Sequence, residues 1–138
     1  MRLLIRRAGS ADQDALWSLL EPVFRAGETY TVATDITQEA ALSFWSSPEK
    51  TVFLAEAEEP LGTYYIKPNQ GGGGAHVCNC GYITAAHAQG RGVAQAMLEH
   101  SLRHAKGMGF RAMQFNFVVE SNTRAIAIWQ RAGFEIVG

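Results

Sequence analysis

Apolar positions recur along this chain with two periods, and the switches between them predict its elements. Leu3 to Arg7 reads as a short strand. Ser10 then caps a helix, with Gln13 three positions on completing a capping-box pattern. Leu16, Leu19, Leu20, Val23 and Phe24 share one face of that helix, and Gly27 ends it. Glu28 to Val32 is irregular and polar-aromatic. A second helix is expected from Thr37, its cap, to Trp45, ahead of Pro48. Thr51 to Ala57 is rich in β formers, Glu58-Glu59-Pro60 reads as a turn, and Leu61 to Lys67 completes a hairpin. Gly71 to Gly74 form a flexible connector before a strand from Ala75 to Thr84. Between Gly90 and Lys106 the period returns to helical, with Val93, Met97, Leu98 and Leu102 on one face and Gly107 and Gly109 as breakers. A strand over Phe110 to Val119, a helix over Asn122 to Arg131 ended by Gly133, and a strand over Phe134 to Val137 complete the pattern.

The order βααβββαβαβ gives an α/β (α+β) fold with a mixed sheet, partly parallel, its crossovers right-handed. Neither a repeat nor a boundary divides it, so residues 1–138 are expected to form one domain. The composition is that of a globular chain, 47% hydrophobic and 18% charged. A net charge of −1 supplies no basic excess for a phosphate backbone, so nucleic acid is not an expected partner. No apolar run approaches the roughly 20 residues that span a bilayer, and the N-terminus is too short and charged for a secretory signal. A soluble, cytoplasmic protein is the expectation. Cys78 and Cys80, the only cysteines, sit two apart on one strand face. A bond between them would be strained, and two ligands alone make no zinc site, so two buried thiols and no metal are expected.

The chemistry concentrates between Tyr82 and Ala94. A strand ends there, a short loop follows, and a helix opens on glycines. Unpaired N–H groups and the positive end of the helix dipole suit an anion. Gly90 and Gly92 let a phosphate approach the backbone, and Arg91 adds charge at the rim. A dinucleotide fingerprint fails because Gln95 stands at its third glycine, and a nucleotide P-loop fails for want of Gly-Lys-Ser/Thr. What remains is Gln/Arg-x-x-Gly-x-Gly/Ala, met by Gln89-Gly90-Arg91-Gly92-Val93-Ala94.

That segment resembles the coenzyme A pyrophosphate loop of the GCN5-related N-acetyltransferase (GNAT) superfamily. Asn122-Thr123-Arg124-Ala125, Trp129 and Ala132-Gly133-Phe134 resemble the family's second cofactor segment, at the family's spacing of one helix and one strand. Segments 76–83, 112–116 and 120–123 are similar to the subgroup that includes azetidine-2-carboxylate N-acetyltransferases. The resemblance implies acetyl-CoA as co-substrate and a small amine, amino- or imino-acid-like, as acceptor. It implies that main-chain groups of Tyr82, Ile83 and Thr84 pair with the pantetheine arm. Amides of Gly90 to Ala94 would hold the pyrophosphate, and Asn122 would bind near the pantetheine end. The fourth and fifth strands would splay around the thioester, with a strand-end N–H near Ile83 facing its carbonyl oxygen.

Asn79 and Asn116 fall in those two strands, where asparagine is disfavoured. Each either bridges backbone groups at the splay or lines the acceptor pocket, offering donors and an acceptor without a buried charge. Glu28 and Tyr30 belong to the loop that covers the acceptor in this family. Either they are a solvated carboxylate and a packed ring, or Glu28 attracts the acceptor's ammonium and takes its proton through water while Tyr30 packs on it. The family's usual general acid is missing. Many relatives place a tyrosine seven residues after the asparagine, where this chain has Trp129, and an indole cannot protonate a thiolate. Trp129 is expected to pack its helix on the sheet. His76 and His87 are expected to be surface or satisfied histidines. Tyr30, Trp45, Asn79 and Asn116 together suggest a closed small-molecule pocket.

GNAT chains usually continue into a further strand after Gly-Phe, whereas this sequence stops at Gly138. The expectation is an open sheet edge covered in a homodimer, or a sequence that is a fragment. Two rival readings stand beside the metabolite acetyltransferase: a peptide or protein N-acetyltransferase, and a catalytically silent acyl-CoA-binding module.

Overall fold

The computed structural model describes residues 2–27, 32–68, 77–110 and 112–114. The elements are β1 (Leu4–Arg7), α1 (Gln13–Ala26), α2 (Gln38–Trp45), β2 (Thr51–Ala57), β3 (Glu59–Pro68), β4 (Val77–Thr84), α3 (Val93–Gly107) and β5 (Ala112–Gln114), with 3-10 turns at Ser10–Asp12 and Ala86–Ala88. This is the expected order as far as Gln114. The helix and strand expected after it lie outside the described residues, as do Gly71 to Gly74.

The sheet runs β1-β2-β3-β4-β5. Its first four strands are antiparallel neighbours, and β5 joins β4 in parallel. The parallel pair is what a strand-helix-strand passage through α3 produces, since parallel strands need a crossover. Alternation along each strand gives the sheet two buried faces. On one, Phe53, Tyr64, Ile66, Cys78 and Cys80 pack with Val93 and Met97 of α3. On the other, Val52, Leu54, Tyr65 and Ile83 pack with Leu16, Leu20 and Phe24 of α1 and with Ala41 and Trp45 of α2.

Several boundaries differ from the pattern reading, each for a local reason. Ser10 does not cap α1: it lies in the 3-10 turn, and the Asp12 carboxylate accepts the Gly9 N–H at 2.7 Å instead. The hairpin turn is tighter than Glu58-Glu59-Pro60. Ala57 pairs directly with Glu59, which forces Glu58 alone into the left-handed region at φ 73°. Thr37 does cap α2, accepting the Ala40 N–H at 3.1 Å, and Gly27 closes α1 in the left-handed conformation. Helix α3 opens at Val93 rather than Gly90, because Gly90 and Gly92 are both left-handed and cannot belong to a right-handed helix. Leu102 leaves the core face of α3 and is 37% exposed, while Ser101 and Ala105 take that face.

Arg6 ties β1 to its surroundings, bonding Asp12 at 2.9 Å and Glu56 at 2.8 Å. Hydrogen bonding to Arg6, then to the Gly9 amide, holds the Asp12 carboxyl at about 2, below its ordinary 3.8. A depressed carboxyl stabilises the fold fully above its unfolded pKa and loses that contribution as pH falls through the folded one. The stability advantage of wild type over Asp12→Asn is therefore expected to be constant above about pH 4 and to vanish toward about pH 2. Chemical denaturation of both proteins across that range tests this; a difference that persists at the acid end would refute it.

Candidate active site

The turn from β4 into α3 is built on two glycines whose conformations no other residue adopts cheaply. Gly90 has φ 81° and Gly92 φ 83°. Ala88 and Val93 are buried on either side and pin the turn to the core, while Gln89, Gly90, Arg91 and Gly92 are exposed. Within the turn the Arg91 N–H reaches back to the Ala88 carbonyl at 3.2 Å. The first main-chain bond of α3 runs from the Ala96 N–H to the Gly92 carbonyl at 3.0 Å. The amides just before Ala96 are those a helix leaves without an internal partner. A Cβ added at Gly92 would meet nothing within 4 Å, so the space in front of that backbone is open. A turn of exposed residues before a helix terminus, with open space where a side chain would stand, suits an anion.

Strand β4 leads into this turn. Its Tyr82 side chain points to the α3 face, bonding the Ser101 hydroxyl at 2.6 Å. On its other face Asn79, Gly81 and Ile83 line up, and Asn79 is 8% exposed. Pairing with β5 covers Val77 to Asn79. Asn79 and the turn from Gln89 to Ala94 thus stand at the two ends of one strand. Glu28, Tyr30, His76, Asn116, Asn122 and Trp129 lie outside the described residues.

Three expectations change or sharpen at this site. Trp45 is not a pocket wall: it is fully buried, its indole N–H donating to Thr63 at 3.1 Å. Cys78 and Cys80 are buried free thiols on the α3 face, opposite Asn79. Hydrogen bonding to Cys78 and burial push the Cys80 thiol far above its usual range, which makes it a poor nucleophile. His87 is exposed and pairs with Glu59 at 2.5 Å, as a satisfied surface histidine should.

The sequence pattern gives no sign of Lys50 and Lys67 as site residues. Lys67 lies opposite Asn79 in the register, and the Lys50 ammonium sits 4.0 Å from the Phe44 ring and 4.5 Å from that of Tyr65. Alternation alone puts Lys67 on the face of Tyr65, but which residue of the next strand it meets depends on the register. Among the described residues no cluster of histidine, cysteine and carboxylate side chains is arranged to hold a metal. No described helix is long and apolar enough to cross a membrane.

The signature of the acetyltransferase (GNAT) family matches residues 14–134, and the chain belongs to that family. A GCN5-related N-acetyltransferase structure from Kribbella flavida superposes with a TM-score of 0.91 at 39% identity, over 99% of this chain and 84% of that one. A phosphinothricin acetyltransferase from Sinorhizobium meliloti, solved in complex with acetyl-CoA, shares the fold at 21% identity and a TM-score of 0.85, over 100% of this chain and 77% of that one. N-acetyltransferase aca1 of Schizosaccharomyces pombe is 27% identical over 129 residues, covering 81% of this chain. The match spans 62% of that relative's length.

Proposed function

We propose that this protein is an acetyl-CoA-dependent N-acetyltransferase acting on the amine of a small amino- or imino-acid-like metabolite or toxin. The carrying observation is the left-handed pair Gly90 and Gly92 before an α3 terminus that opens onto free space. Bound acetyl-CoA would supply an activated acyl carbonyl, whose C–S bond breaks as the N–C bond to the amine forms. The chain's own part is to bind, orient and move one proton. Amides from Gly90 to Ala94 hold the diphosphate, with Gln89 and Arg91 at its rim. Main-chain groups of Tyr82, Ile83 and Thr84 extend β4 along the pantetheine arm, and Asn122 hydrogen-bonds the cofactor near its pantetheine end. Asn79 and Asn116 orient the acceptor. Tyr30 packs on it, and Glu28 takes, through water, the proton that the ammonium must lose before its nitrogen can attack.

The similarity of segments 76–83, 112–116 and 120–123 to azetidine-2-carboxylate N-acetyltransferases supports the small imino acid as the acceptor class. The test is thiol release from acetyl-CoA across a panel of amines that includes azetidine-2-carboxylate, amino acids and peptide N-termini. Turnover is expected with the small acids. Asn116→Ala is expected to lower it by more than His87→Ala, whose ring is already paired with Glu59. Cofactor binding without turnover on any amine would replace this reading with that of a silent acyl-CoA-binding module.

A further inference from the structure

Across the end of the sheet one row of residues differs from the apolar rows beside it. Lys67 of β3 stands opposite Asn79 of β4, and Asn79 opposite Gln114 of β5. Thr51 pairs with Ile66; Lys50 stands one residue before that pair, just ahead of β2, and Lys67 one residue after it in β3. Lys67 lies two residues from Tyr65, and the Lys50 ammonium contacts the Tyr65 ring, so both belong to the face that carries Asn79.

The two ammonium groups repel each other, since the field of Lys67 reaches Lys50. Lys50 is also half-buried, and desolvation, then the field of Lys67, pushes its ammonium down to about 8. Among the described residues neither ammonium has a carboxylate within ion-pair distance. Glu49, the acidic group whose field reaches both, is itself tied to the Ser47 hydroxyl at 2.9 Å. The two lysines are not equivalent. The Lys50 ammonium donates to the Phe44 carbonyl at the end of α2 and lies over two rings, so its charge is fixed in place. Lys67 is only partly buried, and its three N–H donors take no described side-chain partner.

We infer that Lys67, beside Asn79 and backed by the fixed charge of Lys50, holds the carboxylate of the acceptor, which must therefore be a free amino or imino acid. This rests on the transferase reading above and narrows it. A zwitterion is oriented by such a row: its carboxylate turns toward the lysines, and its ammonium is repelled from them toward the β4–β5 side. A polyamine meets only repulsion, and a peptide N-terminus has no α-carboxylate to offer.

Matched pairs test this: a free amino or imino acid against its amide, with thiol release measured in wild type, Lys67→Gln, Lys67→Arg and Lys50→Met. Wild type is expected to favour the acid. Lys67→Gln is expected to raise the KM for the acid roughly 10- to 100-fold, the worth of one hydrogen bond to a charged group, while leaving the KM values for the amide and for acetyl-CoA unchanged. Lys67→Arg retains the preference for the acid, and Lys50→Met weakens it by less than Lys67→Gln does. Wild type that uses amide and acid alike, or a Lys67→Gln variant that raises both KM values equally, overturns the carboxylate assignment and leaves the transferase reading standing. If wild type turns over no amine at all, the transferase reading fails first and this inference falls with it.

Discussion

Replacing Gly92 by valine is expected to weaken acetyl-CoA binding by about two orders of magnitude or more, with the fold retained. Two costs combine. A β-branched residue at φ 83° pays roughly 1–2 kcal/mol of left-handed strain. Its side chain also fills the open space in front of the turn, where the diphosphate would meet the amides. Hydrogen bonds to charged groups are worth about 1.5–3 kcal/mol each, so two lost amide contacts already give about 3 kcal/mol or more. Gly109→Val is the control. Gly109 has φ 93° and equally open surroundings, but it lies past the far end of α3. Both variants should lose similar thermal stability, and only Gly92→Val should lose affinity by calorimetry. Unchanged affinity in both would remove the turn from the cofactor site.

Trp45→Ala is expected to lower the thermal midpoint by roughly 10 °C or more. Trp45 is fully buried at the C-terminal end of α2, edge-on to Tyr65 with ring centroids 4.8 Å apart and to Phe24 at 6.4 Å. Its indole N–H donates to Thr63, whose hydroxyl donates in turn to the Phe53 carbonyl at 2.7 Å. Truncation leaves a cavity at the junction of α1, α2 and the sheet, which costs about 3–5 kcal/mol against a total stability of about 5–15 kcal/mol. The consequence reaches the site, because Tyr65 supports Lys50 on the row that carries Lys67 and Asn79. Thermal unfolding by circular dichroism checks the midpoint. A shift of only a few degrees would mean that the neighbouring side chains collapse into the gap.

The elements up to Gln114 were legible because each has a local cause. The Thr37 cap, the Gly27 stop and the alternation of Thr51 to Ala57 act within a few residues of sequence, and they appear where the pattern put them. The turn was legible for the same reason, since paired glycines before an apolar-periodic run signal a special backbone. What escaped depends on distance. Asp12 displaces Ser10 as the residue organising the start of α1 because the chain folds back there and Arg6, on β1, fixes the Asp12 carboxylate, a contact that no capping pattern encodes. Trp45 lies beneath the surface and not on it, and a sequence does not say which aromatic lies beneath a surface and which forms it. The lysine row was invisible because Lys50, Lys67 and Asn79 meet only through the register of three strands. The asparagines, by contrast, stood out as polar residues in strands otherwise built for burial.

Strand β4 divides its labour by parity. Cys78, Cys80 and Tyr82 serve the packing of α3, while Asn79, Gly81 and Ile83 look toward the helices on the other side. On the proposed reading, a library confined to Asn79 and Lys67 would explore new acceptors while sparing both the packing of α3 and that of Ile83 against α1 and α2. One drawn from the even positions would mostly yield insoluble protein. On that reading selectivity is confined to the polar end of one surface, and the rest of the ribbon, Ile83 included, is committed to packing.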